Sequence, residues 1–159
     1  MQGRVITISR QCGSGGHSIG NELAKRLNVQ FYDKEIIEMT AKESGFHPQF
    51  VEEKGPCVIV GRCADYILRD RKDVLNVFIH ADMEFKKKHC MERRQFPEGN
   101  AEDMIRRRDK LRADHYRYYT DQKWGDSFHY HLCLDSSMFG IEKCVDIIED
   151  ACKAMRPVS

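Results

Sequence analysis

The sequence predicts an α/β fold in which a parallel sheet carries helices on both faces. Short apolar or β-branched runs (Val5 to Ile8, Cys57 to Val60, Val74 to His80) alternate with segments of helical period. Cys57-Val58-Ile59-Val60 is apolar at every position, as in a strand covered on both sides. At 159 residues and 41% hydrophobic, the chain suits a single domain over 1–159, with a core that needs neither disulfide nor metal.

The elements follow in order. Val5-Ile6-Thr7-Ile8-Ser9 is a strand that runs into a glycine-rich stretch. Ile19, Leu23, Ala24 and Leu27 recur at intervals of three and four, which predicts a helix from about Ser18 to Asn28. Val29 to Tyr32 is a second strand. Asp33 is a suitable N-cap for a helix carrying Ile36, Ile37 and Met39 and stopping near Gly45, with a loop bearing two prolines over 46–56. After the third strand, Cys57 to Val60, comes a short helix through Tyr66, Ile67 and Leu68, then a fourth strand from Val74 to His80. Asp82 caps a helix to about Arg94. Asn100 with Asp103 resembles a capping box that opens a long basic helix through Tyr119, broken at Trp124-Gly125-Asp126. Tyr130 to Asp135 is the last strand, and Ile141, Cys144, Val145, Ile148, Cys152 and Met155 mark a terminal amphipathic helix.

In such sheets the ligand crevice lies at the carboxyl ends of the strands. The segment there, Ser9-Arg10-Gln11-Cys12-Gly13-Ser14-Gly15-Gly16-His17-Ser18, joins strand to helix, a setting in which backbone N–H groups and the helix dipole favour an anion. A phosphate loop of the form GxxxxGK[ST] places a lysine on the terminal phosphates. Here Gly16 holds the lysine position and Arg10 that of the first glycine, and Ser18 fits a variant with one extra residue before the hydroxyl. Arg10 either returns a cation to the loop or is a solvated loop arginine; His17, mostly neutral at pH 7, is the weaker substitute.

Seven cysteines, an odd number without a CxxC pair, read as buried thiols in a reducing compartment. No apolar stretch approaches the ~18 residues of a membrane span and no charged-then-apolar leader opens the chain, so a cytoplasmic location is expected. The formal charge of +1 hides a contrast. Lys86 to Lys123 holds 12 basic and 7 acidic residues, and the remainder is net acidic.

With the glycine loop, Phe31-Tyr32-Asp33-Lys34-Glu35, Gly61-Arg62-Cys63-Ala64-Asp65 and the basic segment ending at Leu134-Asp135-Ser136 in view, the chain resembles the cytidylate kinase-like family. This is a branch of the P-loop nucleoside monophosphate kinases. The resemblance implies a three-layer P-loop fold with a parallel five-stranded sheet and a helical basic lid over about 95–126. It implies a reduced or incomplete acceptor-binding segment at about 33–56, since 21 residues separate Asp33 from Gly55. The implied activity is transfer of the γ-phosphoryl group of ATP, with magnesium, to a nucleoside monophosphate such as CMP or dCMP, or to a similar small acceptor.

By the same resemblance, Gly13, Ser14, Gly15, Gly16, His17 and Ser18 form the phosphate loop, with Ser18 at the magnesium-associated hydroxyl. Asp33 and Arg62 bind the acceptor. Arg108, Asp109 and Arg112 belong to the lid, whose arginines stabilise the transferring group. Helical spacing agrees, because Arg108 and Arg112 share a face and can converge on one phosphate while Asp109 orients them. Tyr116, Tyr118, Tyr119 and Trp124 either stack a base or pack the lid down, the commoner use. Two other readings stand beside the kinase. One is a nucleotide-binding protein with weakened catalysis acting as a sensor or partner module, favoured by Gly16. The other is a nucleic-acid surface, disfavoured by the seven acids among the basic residues.

Overall fold

The computed structural model describes residues 4–33, 55–61, 63–93, 96 and 98–157. The helix expected after Asp33, most of the proline-bearing loop and Arg62 lie outside the described residues.

Five strands form one sheet: β1 (Val5–Arg10), β2 (Gln30–Tyr32), β3 (Cys57–Val60), β4 (Val74–His80) and β5 (Leu132–Asp135). Their order is β2-β3-β1-β4-β5 and every pairing is parallel, with β1 in the centre between β3 and β4. Ile8 is level with Val60 on one side and Val77 on the other, so β1, β3 and β4 deliver their carboxyl ends to one edge.

The apolar run of β3 is explained by its two faces. Val58 and Val60 join Ile6, Ile8, Val77 and Ile79 beneath α1 (Gly16–Leu27) and the terminal helix. Cys57 and Ile59 turn to the other face, toward Val5, Tyr32 and Leu68. Each buried isoleucine or valine contributes roughly 1.5–3 kcal/mol. A third cluster, Cys12, Cys90, Phe96, Ala101 and Ile105, ties the glycine loop to two further helices.

The helices after α1 are α2 (Ala64–Ile67), α3 (Met83–Glu92), α4 (Ala101–Thr120) and α5 (Ser136–Ala154). Asp82 caps α3 as expected, accepting from the Phe85 N–H at 2.8 Å. Asp135 caps α5 through the Ser137 and Met138 N–H groups, and Gly140 (φ 80°) kinks that helix after its first turn.

Four expectations need correction. Helix α1 starts at Gly16 rather than Ser18, because Gly15 in a left-handed conformation (φ 87°) ends the loop without a side-chain cap. Asn100 makes no capping bond: its ψ of 9° is not the extended backbone that a cap needs, and a 3-10 turn over Glu98–Asn100 leads into α4 instead. Tyr130 and His131 precede β5, following a 3-10 turn over Ser127–His129. Cys133 is exposed and Cys63 half-buried; the other five thiols are buried, and none of the seven is in a disulfide.

Candidate active site

The loop between β1 and α1 turns at Gly13 and Gly15, both with positive φ. No acidic residue sits in the first turn of α1, so its amino-terminal N–H groups keep their positive end for an anion. A cleft of ≈ 370 Å³ opens onto Gly13, Gly15, Gly16, His17, Ser18 and Asp33.

Ser14 departs from its expected place. It is fully buried, its hydroxyl donates to the Gln11 carbonyl at 2.7 Å, and its own carbonyl accepts from Ser136 Oγ at 2.6 Å. The side chain locks the loop onto α5 instead of facing the cleft.

Arg10 explains Gly16. A Cβ on Gly16 would lie 2.5 Å from Arg10 Cβ and Cγ, so the arginine stem occupies the space that a lysine at 16 would need. The guanidinium continues to β3, where a Cβ on Gly61 would meet Arg10 Nη1 at 2.9 Å. One side chain thus spans the glycine loop and the end of β3. It is no freely solvated loop arginine: burial, then the neighbouring Arg112, lower its pKa to about 10.

The basic helix α4 lies across this crevice. Arg112 Nη1 donates to the Arg10 carbonyl at 3.2 Å, and burial lowers the Arg112 pKa as well. Arg108 sits over the Phe96 ring at 4.7 Å. Arg10, Arg108 and Arg112 line both the glycine-loop cleft and a second cavity of ≈ 590 Å³ at the ends of β1 and β3. Ser9, Val60, Gly61, Cys63, Leu111, His115, Tyr116 and Trp124 complete the second cavity.

Asp109 does more than orient arginines. Its Oδ1 accepts the Cys12 N–H at 2.6 Å and its Oδ2 lies 3.7 Å from Lys86 Nζ, whereas Arg112 is 3.9 Å away. Lys86 is itself buried and donates to Gln11 Oε1 at 3.2 Å. Burial raises the Asp109 pKa while these partners oppose the rise. Helix α4 is therefore latched to the glycine loop. Lys86 escaped the sequence reading because it opens a Lys-Lys-Lys run; its position three after Met83 and four before Cys90, on one helix face, was the available signal.

Of the aromatics in and after α4, Tyr116 is buried, Trp124 packs edge-on against Phe78 at 5.2 Å, and Tyr118 and Tyr119 are exposed. His17 Nε2 is 3.2 Å from Asp33 Oδ2. His129 ends the 3-10 turn that precedes β5, and His131 Nδ1 accepts the Asn76 N–H at 2.8 Å.

Comparison with known proteins supplies the decisive observation: the model of the cytidylate kinase-like family matches residues 5–55 and 48–138. The chain belongs to this family. A crystal structure of a protein from Eubacterium ventriosum ATCC 27560, described as uncharacterized, is 33% identical, with TM-score 0.85 over 95% of this chain and 99% of that one. A shikimate kinase from Bacteroides thetaiotaomicron shares the fold at 15% identity (TM-score 0.59, covering 94% and 98%). So does one from Acinetobacter baumannii, in complex with shikimate, at 16% (TM-score 0.59, 95% and 93%). No curated protein matches the chain. No helix among the described residues is long and apolar enough to cross a membrane.

A kinase-like family implies nucleotide and metal use in general. The side chains here do not fit a protein-held divalent cation. Ser18 Oγ accepts from Arg93 Nη1 at 2.8 Å, which puts a guanidinium beside the hydroxyl expected to face magnesium. His17 stands in the usual hydroxyl position, and no three His, Cys, Asp or Glu side chains among the described residues group as metal ligands.

Proposed function

We propose that this member of the family transfers the γ-phosphoryl group of ATP to a small anionic acceptor of the CMP or dCMP class. The observation that carries the reading is the placement of Arg10, Arg108 and Arg112 in the wall between the two cavities. One cavity is built on a glycine loop and helix amino terminus, suited to the donor phosphates, and the other is large enough for an acceptor. Burial destabilises the charges of Arg10 and Arg112, as does like charge, from Arg112 on Arg10 and from Arg108 on Arg112, and an anion among the three offsets that repulsion.

The chemistry asks little else of the protein. An acceptor phosphate oxygen attacks the γ-phosphorus, the bond to the β–γ bridging oxygen breaks, and ADP leaves with that electron pair. An ionised acceptor needs no general base. The charge spread over the transferring oxygens is met by guanidinium and backbone N–H groups already in place, so little reorganisation is needed during reaction. Asp109 and Lys86 act as positioning residues that hold α4 and the Cys12 amide together.

Incubation with MgATP and each nucleoside monophosphate, following ADP release, tests the reading. ADP formation that depends on CMP or dCMP supports it. A second reading, a nucleotide-binding protein with weakened catalysis, is favoured by the absence of a lysine at Gly16. ATP binding without acceptor-dependent turnover across the panel selects that one.

A further inference from the structure

Beneath the acceptor cavity lies a buried polar network that the phosphate chemistry does not use. Asp65, from α2, is 4% exposed. Its Oδ2 accepts the Tyr116 hydroxyl at 2.7 Å, the backbone N–H groups of Asp65 and Tyr66 lie near enough to lower its pKa, and no full hydrogen bond reaches its Oδ1 among the described residues. The Tyr116 oxygen also lies 3.2 Å from Gln122 Oε1. Thr120 Oγ1 donates to the Tyr116 carbonyl at 2.6 Å and accepts the Gln122 N–H at 3.1 Å, which folds the chain back after α4 ends. The Tyr130 hydroxyl joins the Tyr116 and Ser9 hydroxyls and accepts the Gly125 N–H at 3.4 Å. Ser9, Tyr116 and Trp124 face the ≈ 590 Å³ cavity; Asp65 does not.

A buried carboxylate with one oxygen unsatisfied costs stability, so a simple packing role would be better served by an apolar residue. What the carboxylate gains is a charge-assisted bond that fixes Tyr116 in one place. Tyr130, beside Tyr116, accepts the Gly125 N–H and Thr120 accepts the Gln122 N–H, so the turn that carries Trp124 into the cavity wall is tied to this network. We propose that Asp65 is a positioning residue for the acceptor: through Tyr116 it holds the Ser9–Tyr116 floor and the Trp124 wall in register with the arginines. The proposal rests on the kinase reading for the identity of the cavity's occupant, but not for the coupling itself.

Trp124 is the chain's single tryptophan, so its fluorescence reports on this wall alone. The experiment compares wild type with Tyr116→Phe, Asp65→Ala and Asp65→Asn in the full chain. Asp65→Asn keeps an oxygen to accept the Tyr116 hydroxyl. Far-ultraviolet circular dichroism and affinity for a fluorescent ATP analogue verify the fold and the glycine loop. Tyr116→Phe and Asp65→Ala are both expected to at least double acrylamide quenching of Trp124 while both controls hold, and Asp65→Asn to stay near wild type; an Asp65→Ala variant that quenches like wild type overturns the role of Asp65. Where acceptor turnover is found, Tyr116→Phe raises the acceptor KM by about tenfold, more than it lowers kcat. Unchanged quenching in Tyr116→Phe overturns the proposal, as does a rise in quenching that comes only with loss of ATP-analogue affinity. The fluorescence arm decides the coupling even if no acceptor turns over, so failure of the kinase reading stays separate.

Discussion

The side chain of Arg10 lies across Gly16, with its Cβ and Cγ 2.5 Å from where a Cβ at 16 would stand. The lysine position of the glycine loop is thus filled by an arginine from the end of the preceding strand.

Restoring the usual lysine should therefore harm the protein. Gly16→Lys forces the new side chain into the arginine stem, a clash costing about 1–3 kcal/mol in urea unfolding. In an Arg10→Gly background both the Cβ and the Cγ are gone and the cost should largely vanish, giving a coupling of roughly 1 kcal/mol or more. An equal cost in both backgrounds contradicts the relationship.

Arg112→Ala removes a cation shared by the two cavities. A charge-assisted bond of roughly 1.5–3 kcal/mol lost from the transition state lowers kcat/KM by about ten- to a hundredfold. Arg106, exposed and paired with Glu102 on the outer face of the same helix, serves as the control. Arg106→Ala should stay within about twofold, and steady-state kinetics on both variants checks the contrast.

Lys86→Met leaves Asp109 half-buried beside the glycine loop without its nearer cation, with Arg112 3.9 Å away as the remaining one. Removing one partner of a buried pair costs about 3–5 kcal/mol, measurable by urea denaturation. Asp109→Asn in the same chain should recover most of that loss, since the uncompensated charge goes with it. No recovery in the double variant would show that packing, not charge, holds the latch.

Burial raises the Asp65 pKa above its ordinary value of 3.8, and the Tyr116 bond, the backbone N–H groups of Asp65 and Tyr66 and nearby His129 only partly offset the rise; Tyr130 also faces the carboxyl. The folded protein therefore holds this proton more tightly than the unfolded chain does. Its contribution to stability is fully present below the unfolded pKa and declines as pH rises toward the folded one. Asp65→Asn cannot titrate, so its stability relative to wild type should improve as pH is raised from about 4 toward 7. Denaturant titrations at several pH values check the slope, and a flat difference contradicts it.

The sheet was legible because its strands obey simple patterns. Cys57 to Val60 and Val74 to His80 sit where their apolar runs placed them, since both faces of those strands are covered. The capping aspartates at 82 and 135 serve as such, whereas Asn100 offered the same side-chain chemistry on a backbone that cannot use it. Sequence also marked the glycine loop and the basic helix, but not how they meet. The Arg10–Gly16 contact, the Lys86–Asp109 latch and the Asp65–Tyr116 bond join residues from 6 to 51 positions apart, and no local period encodes such pairings. Lys86 and Asp65 carry charges that composition assigns to the surface, and tertiary structure buries them beside a partner.

Phosphorus-31 nuclear magnetic resonance of the protein with MgATP and CMP tests the central claim most directly, because it follows the transferred group itself. The account predicts loss of the ATP γ-phosphorus signal with matching growth of ADP and of the two phosphorus signals of CDP. Release of the γ-phosphoryl group only as inorganic phosphate, or an ATP spectrum unchanged by any nucleoside monophosphate, would contradict it.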